Sequence, residues 1–214
     1  MTHEPATHPA LADRESTFHD AWAESEDASR VLVTESFESC TTPENRHVVR
    51  WLGDVRGLKL LDLGCGCGEA AVYFAKRGAV VTACDVSPGM LALTGRVAAE
   101  HGVSVTTAVG TSEHLPFPEE TFDVVYAANV LHHSDLPAAM AEIRRVLAPG
   151  GRACFWDPLA GNPAINVYRR MADRVRTPDE HPLPRRDLAA FRSYFCTVEL
   201  RYFWLAALLV FVKY

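Results

Sequence analysis

From residue 54 onward the chain alternates short apolar runs with segments whose apolar positions recur every three or four residues. Runs at Lys59 to Leu63, Val80 to Cys84, Val103 to Val109, Phe122 to Ala127 and Arg152 to Trp156 read as buried strands. Helical periodicity fills the gaps: Glu69 to about Arg77 with Gly78 as its stop, Ser87-Pro88 to near Gly102, and about Leu136 to Leu147 before the turn Pro149-Gly150-Gly151. Strands alternating with helices predict right-handed crossovers and an α/β, Rossmann-like, doubly wound sheet, mostly parallel, with helices on both faces. Ahead of this core, Phe18 and Trp22 stand one helical turn apart, and Thr42-Pro43-Glu44 offers an N-cap, a first-turn proline and an early acid before Val48, Val49 and Leu52. Behind it, Val198, Leu200 and Tyr202 alternate with Glu199 and Arg201, and Leu208 to Val212 is a second apolar run. These two segments predict an antiparallel C-terminal hairpin and a seven-stranded sheet.

Composition narrows the class. With 214 residues, 48% of them hydrophobic, the chain suits one α/β domain with a modest appendage. It divides into a mobile leader (1–15), N-terminal cap helices (16–53), a core (54–157), an insertion (158–186) and a C-terminal helix and hairpin (187–214). The net charge of −6 argues against nucleic acid as a partner. The leader lacks an apolar signal core, which makes a cytoplasmic protein the expectation. The apolar run from Phe203 to Val212 is too short to span a bilayer, leaving only peripheral membrane contact open. Six cysteines show no framework spacing and read as reduced, buried thiols. Cys65 and Cys67 form a C-x-C pair without a second ligand pair, so no metal site is expected.

The chemistry concentrates in Leu60-Leu61-Asp62-Leu63-Gly64-Cys65-Gly66-Cys67-Gly68-Glu69. An apolar strand that runs into alternate glycines at a helix start leaves a bare backbone turn with N–H groups aimed at a ligand. Asp85 ends the next strand about twenty residues later, where an acid accepts both hydroxyls of an adenosine ribose. Downstream stand Gly110-Thr111-Ser112-Glu113-His114-Leu115-Pro116-Phe117, then Phe122-Asp123-Val124-Val125, then Ala127-Ala128-Asn129-Val130-Leu131-His132-His133, then Pro149-Gly150-Gly151. In this order, over about residues 44 to 157, they resemble the class I S-adenosylmethionine (SAM)-dependent methyltransferases. The resemblance implies SAM as cofactor, with Asp62 near its methionine amino end and Gly64, Gly66 and Gly68 along the methionine and ribose. Val86 and Met90 would wall the adenine. Thr111 stands where the family carries the acid for the adenine amine, the Ser112 backbone N–H reaches the ring, and Glu113, Ala127 and Asn129 border the site.

The sulfonium methyl is already activated, so transfer needs an in-line acceptor about 3 Å away and, for a hydroxyl or a weakly acidic carbon, a base. His132, beyond the fourth strand, is the candidate for that base; His133 reads as structural, and His19 and His181 are further histidines near the expected mouth. The insertion carries Arg169, Arg170, Arg174, Arg176, Arg185 and Arg186, either a solvated helix face or a lid for an anionic acceptor or a membrane surface. Trp156, Tyr168 and Trp204 favour an apolar acceptor. The expected function is methyl transfer from SAM to a small organic acceptor, apolar or anionic, by in-line displacement, with oligomeric state left open. The alternatives are a catalytically inactive SAM-binding regulatory module and an NAD-dependent oxidoreductase. Glu69 at the third glycine position of a dinucleotide fingerprint counts against the latter.

Overall fold

The structure, a computed structural model, describes residues 8–160, 182–184, 187–189 and 191–203. Its centre is a wholly parallel five-stranded sheet of β1 (Lys59–Leu63), β2 (Val80–Asp85), β3 (Thr106–Val109), β4 (Phe122–Ala128) and β5 (Leu147–Trp156), in the order β3-β2-β1-β4-β5. Three helices precede it, α1 (His8–Ser25), α2 (Glu35–Glu38) and α3 (Pro43–Leu52). Three more lie within it, α4 (Glu69–Lys76), α5 (Pro88–Glu100) and α6 (Leu136–Val146).

Successive strand residues point to opposite faces, and the core divides accordingly. Leu60, Val124 and Tyr126 pack with Val72 and Phe74 of α4, Leu93 and Val97 of α5, and Phe37 and Val48 from the N-terminal helices. The residues between them, Leu61, Leu63, Val125 and Ala127, pack with Met140, Ile143 and Val146 of α6. The crossovers after β1 and β2 therefore cover one face and the crossover after β4 covers the other. Winding reverses between the neighbouring strands β1 and β4, which opens a crevice beyond their carboxyl ends.

Local chemistry explains the boundaries. Ser87 Oγ accepts the Met90 amide at 3.0 Å and starts α5, while Asp135 Oδ1 accepts the Ala138 amide at 3.1 Å and starts α6. Thr42 departs from expectation: its hydroxyl bonds to the Ser39 carbonyl at 3.1 Å and does not cap α3. β5 begins directly after α6, and its register on β4 jumps from Phe122↔Leu147 to Val124↔Arg152. The residues of the expected turn, Pro149-Gly150-Gly151, thus form a bulge that leaves the ladder.

Three expectations need correction. The sheet has five strands among the described residues, not seven. Val198, Leu200 and Tyr202 alternate as foreseen yet carry no strand, and Leu200 and Tyr202 are exposed; alternation makes a strand only where a neighbour supplies a ladder. Leu208 to Val212, the other half of the hairpin, lies outside the described residues, as do His181, Tyr168, Trp204 and the insertion's six arginines. The helix α1 reaches back to His8, into the stretch expected as a mobile leader, and Glu15 within it is buried at 8% exposure.

A polar bracket ties the N-terminal helices to the sheet. Tyr126 on β4 donates to Asn45 Oδ1 on α3 at 3.1 Å and accepts from Trp156 Nε1 on β5 at 3.2 Å, and Asn45 Nδ2 donates to the Ser36 carbonyl at 2.7 Å. Tyr126→Phe leaves the Asn45 oxygen and the Trp156 N–H buried without their partner. It should lower the unfolding free energy by about 1–3 kcal/mol, read from the urea midpoint at unchanged slope. An unchanged midpoint would show that the bracket adds nothing to stability.

Candidate functional site

The glycine loop after β1 divides its labour. Gly64 and Gly68 take φ values of 66° and 88°, and a Cβ would meet Val130 Cγ2 at 2.3 Å in the first case and Thr94 Cγ2 at 2.8 Å in the second. These two are packing glycines. Gly66, at φ 50°, has nothing within 4 Å of where its Cβ would stand, so its bare backbone faces open space. The loop is pinned by Gly64 N donating to the Cys84 carbonyl at 2.7 Å and by Gly66 N donating to Asp85 Oδ2 at 3.0 Å.

Two acids flank this loop in different states. Asp85 is held from both sides, its Oδ1 accepting the Ser87 amide at 2.9 Å and its Oδ2 the Gly66 amide. Burial pushes its pKa up, and these amides pull it back. Asp62 is 2% exposed and its Oδ2 has no hydrogen-bond partner among the described residues. Burial, opposed by the Ala71 amide and reinforced by nearby Glu69 and Asp85, lifts its pKa to about 8. A buried carboxyl left with an unpartnered oxygen is a site waiting for a cation.

Both acids open on one cavity of about 1020 Å³ in the crevice beyond β1 and β4. Its wall brings together Asp62, Gly64, Gly66, Asp85, Val86, Thr111, Ser112, Glu113, Asn129 and His132. Gly68, Met90 and Ala127 are not in that wall. Met90 and Ala127 are both fully buried, Met90 in the core beneath α5 and Ala127 against α6. Asn129 takes the left-handed region at φ 57°, which Asn tolerates, and its amide donates to the Trp156 carbonyl at 2.9 Å. Thr111 pairs with His114 in an isolated bridge. Ser112 Oγ lies 2.6 Å from Ser134 Oγ and donates to Glu113 Oε2 at 3.0 Å, while Glu113 Oε1 accepts the Asp135 amide at 2.9 Å. The Glu113 carboxylate therefore ties the loop after β3 to the start of α6.

His132 meets a residue that the sequence did not single out. Its Nδ1 lies 2.7 Å from Asp157 Oδ1, which also accepts the His132 backbone amide at 3.2 Å; the two side chains are 4% and 3% exposed. Burial raises the Asp157 pKa, and the imidazole beside it acts the other way. Asp157 is the first residue after β5, as Asp85 is the last of β2, and that position at a strand's carboxyl end was the available signal. His133 stands 3.5 Å from Glu15 of α1, and Glu15 stands 3.5 Å from His19. Glu15, Phe18, His19 and Trp22 place α1 along the cavity opposite the strand ends, and Phe37, Tyr126 and Trp156 add aromatic wall.

Residues 61–155 match the family described as "Methyltransferase domain". Malonyl-[acyl-carrier protein] O-methyltransferase of Serratia marcescens is 41% identical over 108 residues, which are 50% of this chain and 40% of that protein. A demethylmenaquinone methyltransferase of Thermobifida fusca is 44% identical over 102 residues, 45% of this chain and 42% of that one. The chain thus spans less than half the length of these two relatives. Among solved structures, the YcgJ protein of Bacillus subtilis has a TM-score of 0.60 at 28% identity, covering 69% of this chain and 65% of its own. The segment 61–155, which carries the glycine loop, Asp85 and His132, is thus a methyltransferase domain of the class I SAM-dependent kind.

Proposed function

We propose that the protein transfers the methyl group of SAM to a hydroxyl of a small, largely apolar acceptor, with His132 as general base. The observation that carries this reading is the buried His132–Asp157 pair, whose imidazole stands in the wall of the cavity. The relatives named above act on acceptors as different as a malonyl acyl-carrier protein and a demethylmenaquinone, so the acceptor class is argued from this chain's own cavity. Its walls include Phe18, Trp22, Phe37 and Trp156, and among the described residues that line it none is Lys or Arg. That lining favours an apolar over an anionic acceptor. No helix among the described residues is long and apolar enough to cross a membrane.

The residues present fit SAM. Asp62 Oδ2 lacks a partner and suits the methionine ammonium, the open face of Gly66 admits the ligand against backbone, and the two Asp85 oxygens suit the ribose diol. When bound, SAM supplies a methyl group on a positively charged sulfur, ready for displacement. The chain's own contribution is binding, exclusion of water and the handling of one proton. With Nδ1–H donated to Asp157, the His132 ring accepts through Nε2, the atom that takes the acceptor's hydroxyl proton. Asp157 fixes the ring orientation and stabilises the imidazolium that results. The aromatic residues of α1 shield the site, and positioning supplies most of the remaining rate.

Four measurements test this. Asp85→Ala removes a charged hydrogen-bond acceptor, so SAM affinity should fall roughly 30- to 150-fold with the fold intact by circular dichroism; unchanged affinity would remove Asp85 from the site. The pKa of Asp62 near 8 exceeds its unfolded value of 3.8, so the free protein at neutral pH holds it largely protonated. Pairing with an ammonium then requires loss of that proton. Calorimetry in buffers of different ionisation enthalpy should show proton release on SAM binding at pH 7 and none in Asp62→Asn. The raised folded-state pKa also means that this carboxyl's contribution to stability declines as pH rises from about 4 to 8, so ligand-free Asp62→Asn should melt higher than wild type at pH 8. Finally, His132→Ala should slow single-turnover methyl transfer by about 10²- to 10⁴-fold at unchanged SAM affinity. Equal single-turnover rates in variant and wild type would leave proximity alone as the mechanism.

A further inference from the structure

The first turn of α5 carries a residue whose identity the cofactor site does not explain. Gly89 lies in a helix with ordinary helical φ, where glycine is a poor helix former. What requires its bare Cα is α1: a Cβ there would stand 2.8 Å from Asp20 Oδ1, 3.1 Å from Asp20 Cα and 3.3 Å from Ala23 Cβ. Through this gap Asp20 Oδ1 accepts two hydrogen bonds, from Ser87 Oγ at 2.5 Å and from Gly89 N at 2.8 Å. Ser87, fully buried, in turn donates its amide to Asp85 Oδ1 at 2.9 Å, and Asp85 holds the Gly66 amide. One continuous run of hydrogen bonds thus joins α1 to the acid assigned to the ribose and on to the glycine loop. The same helix carries Glu15, Phe18, His19 and Trp22 along the cavity, so the face that covers the cofactor is fastened at the place where the cofactor binds.

From this we infer that Asp20 is a positioning residue that latches α1 over the SAM site, so that cofactor entry and product release both require the Asp20 bonds to Ser87 and Gly89 to break. The inference rests on the SAM site described above and adds a gate to it. Entry and exit both pass the helix that these bonds fasten, so opening limits association as well as release. A side chain that merely supported bound cofactor would change release and leave association alone.

The test follows association and release of radiolabelled SAM by rapid filtration with the full chain. Asp20→Ala should speed both by about tenfold, the effect of losing roughly one net hydrogen bond to a charged group, so that the dissociation constant moves much less than either rate. Asp20→Asn, which keeps an oxygen for both donors, should lie nearer wild type. Gly89→Ala, which leaves Asp20 intact but wedges a methyl against it, should change both rates in the same direction as Asp20→Ala. Wild-type rates in Asp20→Ala, or faster release at unchanged association, would overturn the latch while leaving the SAM site standing. Wild-type protein that binds no SAM would instead overturn the cofactor reading itself, and the latch with it.

Discussion

The reversal of winding between β1 and β4 is the constraint on which the rest of the structure depends. Once the crossovers on either side go to opposite faces, neither covers the carboxyl ends of these two strands, and α1 lies along the crevice that is left. Every polar group there must find a partner in a loop or a ligand. Most do so locally: Asp85 takes two amides, Asn129 reaches the Trp156 carbonyl, and Asp157 takes the His132 ring and amide. Two carboxylate oxygens there, Asp62 Oδ2 and Asp157 Oδ2, have no hydrogen-bond partner among the described residues, and of the two acids Asp62 stands in the cavity wall, where a ligand can reach it. The crevice is thus a consequence of topology, and its chemistry is what remains after the loops have satisfied one another.

Much of this was legible in the chain. β1 occupies the expected Lys59–Leu63, because a strand buried on both faces leaves an apolar run, interrupted here by Asp62, that ends at glycine. Asp62, Gly66 and Asp85 meet at one cavity because their spacing encodes strand ends, and strand ends in this topology converge. Less legible was anything decided by side-chain direction. Met90 has the spacing of a pocket wall, yet its position on α5 turns it into the core with Leu93 and Val97. Asp157, next to Pro158, looks like a loop acid until the loop after β4 folds back to bring His132 within 2.7 Å. Likewise, Val198 to Tyr202 has strand periodicity without a strand, because pairing is a property of two segments and periodicity of one.

The glycine loop shows how one motif serves two physical demands. Gly64 and Gly68 are required by neighbours, Val130 and Thr94, that come too close for any side chain, and Gly66 by the open space above it. The two cysteines between them are small, buried fillers: desolvation pushes the Cys67 thiol up to about 12 and Cys65 well above its ordinary range. At neutral pH they remain protonated and inert beside an electrophilic cofactor, which spares the loop from competing with the acceptor for the methyl group.

The two ends of the insertion after β5 meet. Leu159 and Leu183 form a parallel bridge, the Leu183 amide donates to the Pro158 carbonyl and the Ala160 amide to the Leu183 carbonyl, each at 3.0 Å. Residues 158–160 and 182–184 are therefore joined by backbone bonds that do not depend on which side chains lie between. The entropy of closing such a loop grows only with the logarithm of its length. A stretch of chain fastened at its neck in this way can change in length or composition at little cost to the sheet it leaves and rejoins.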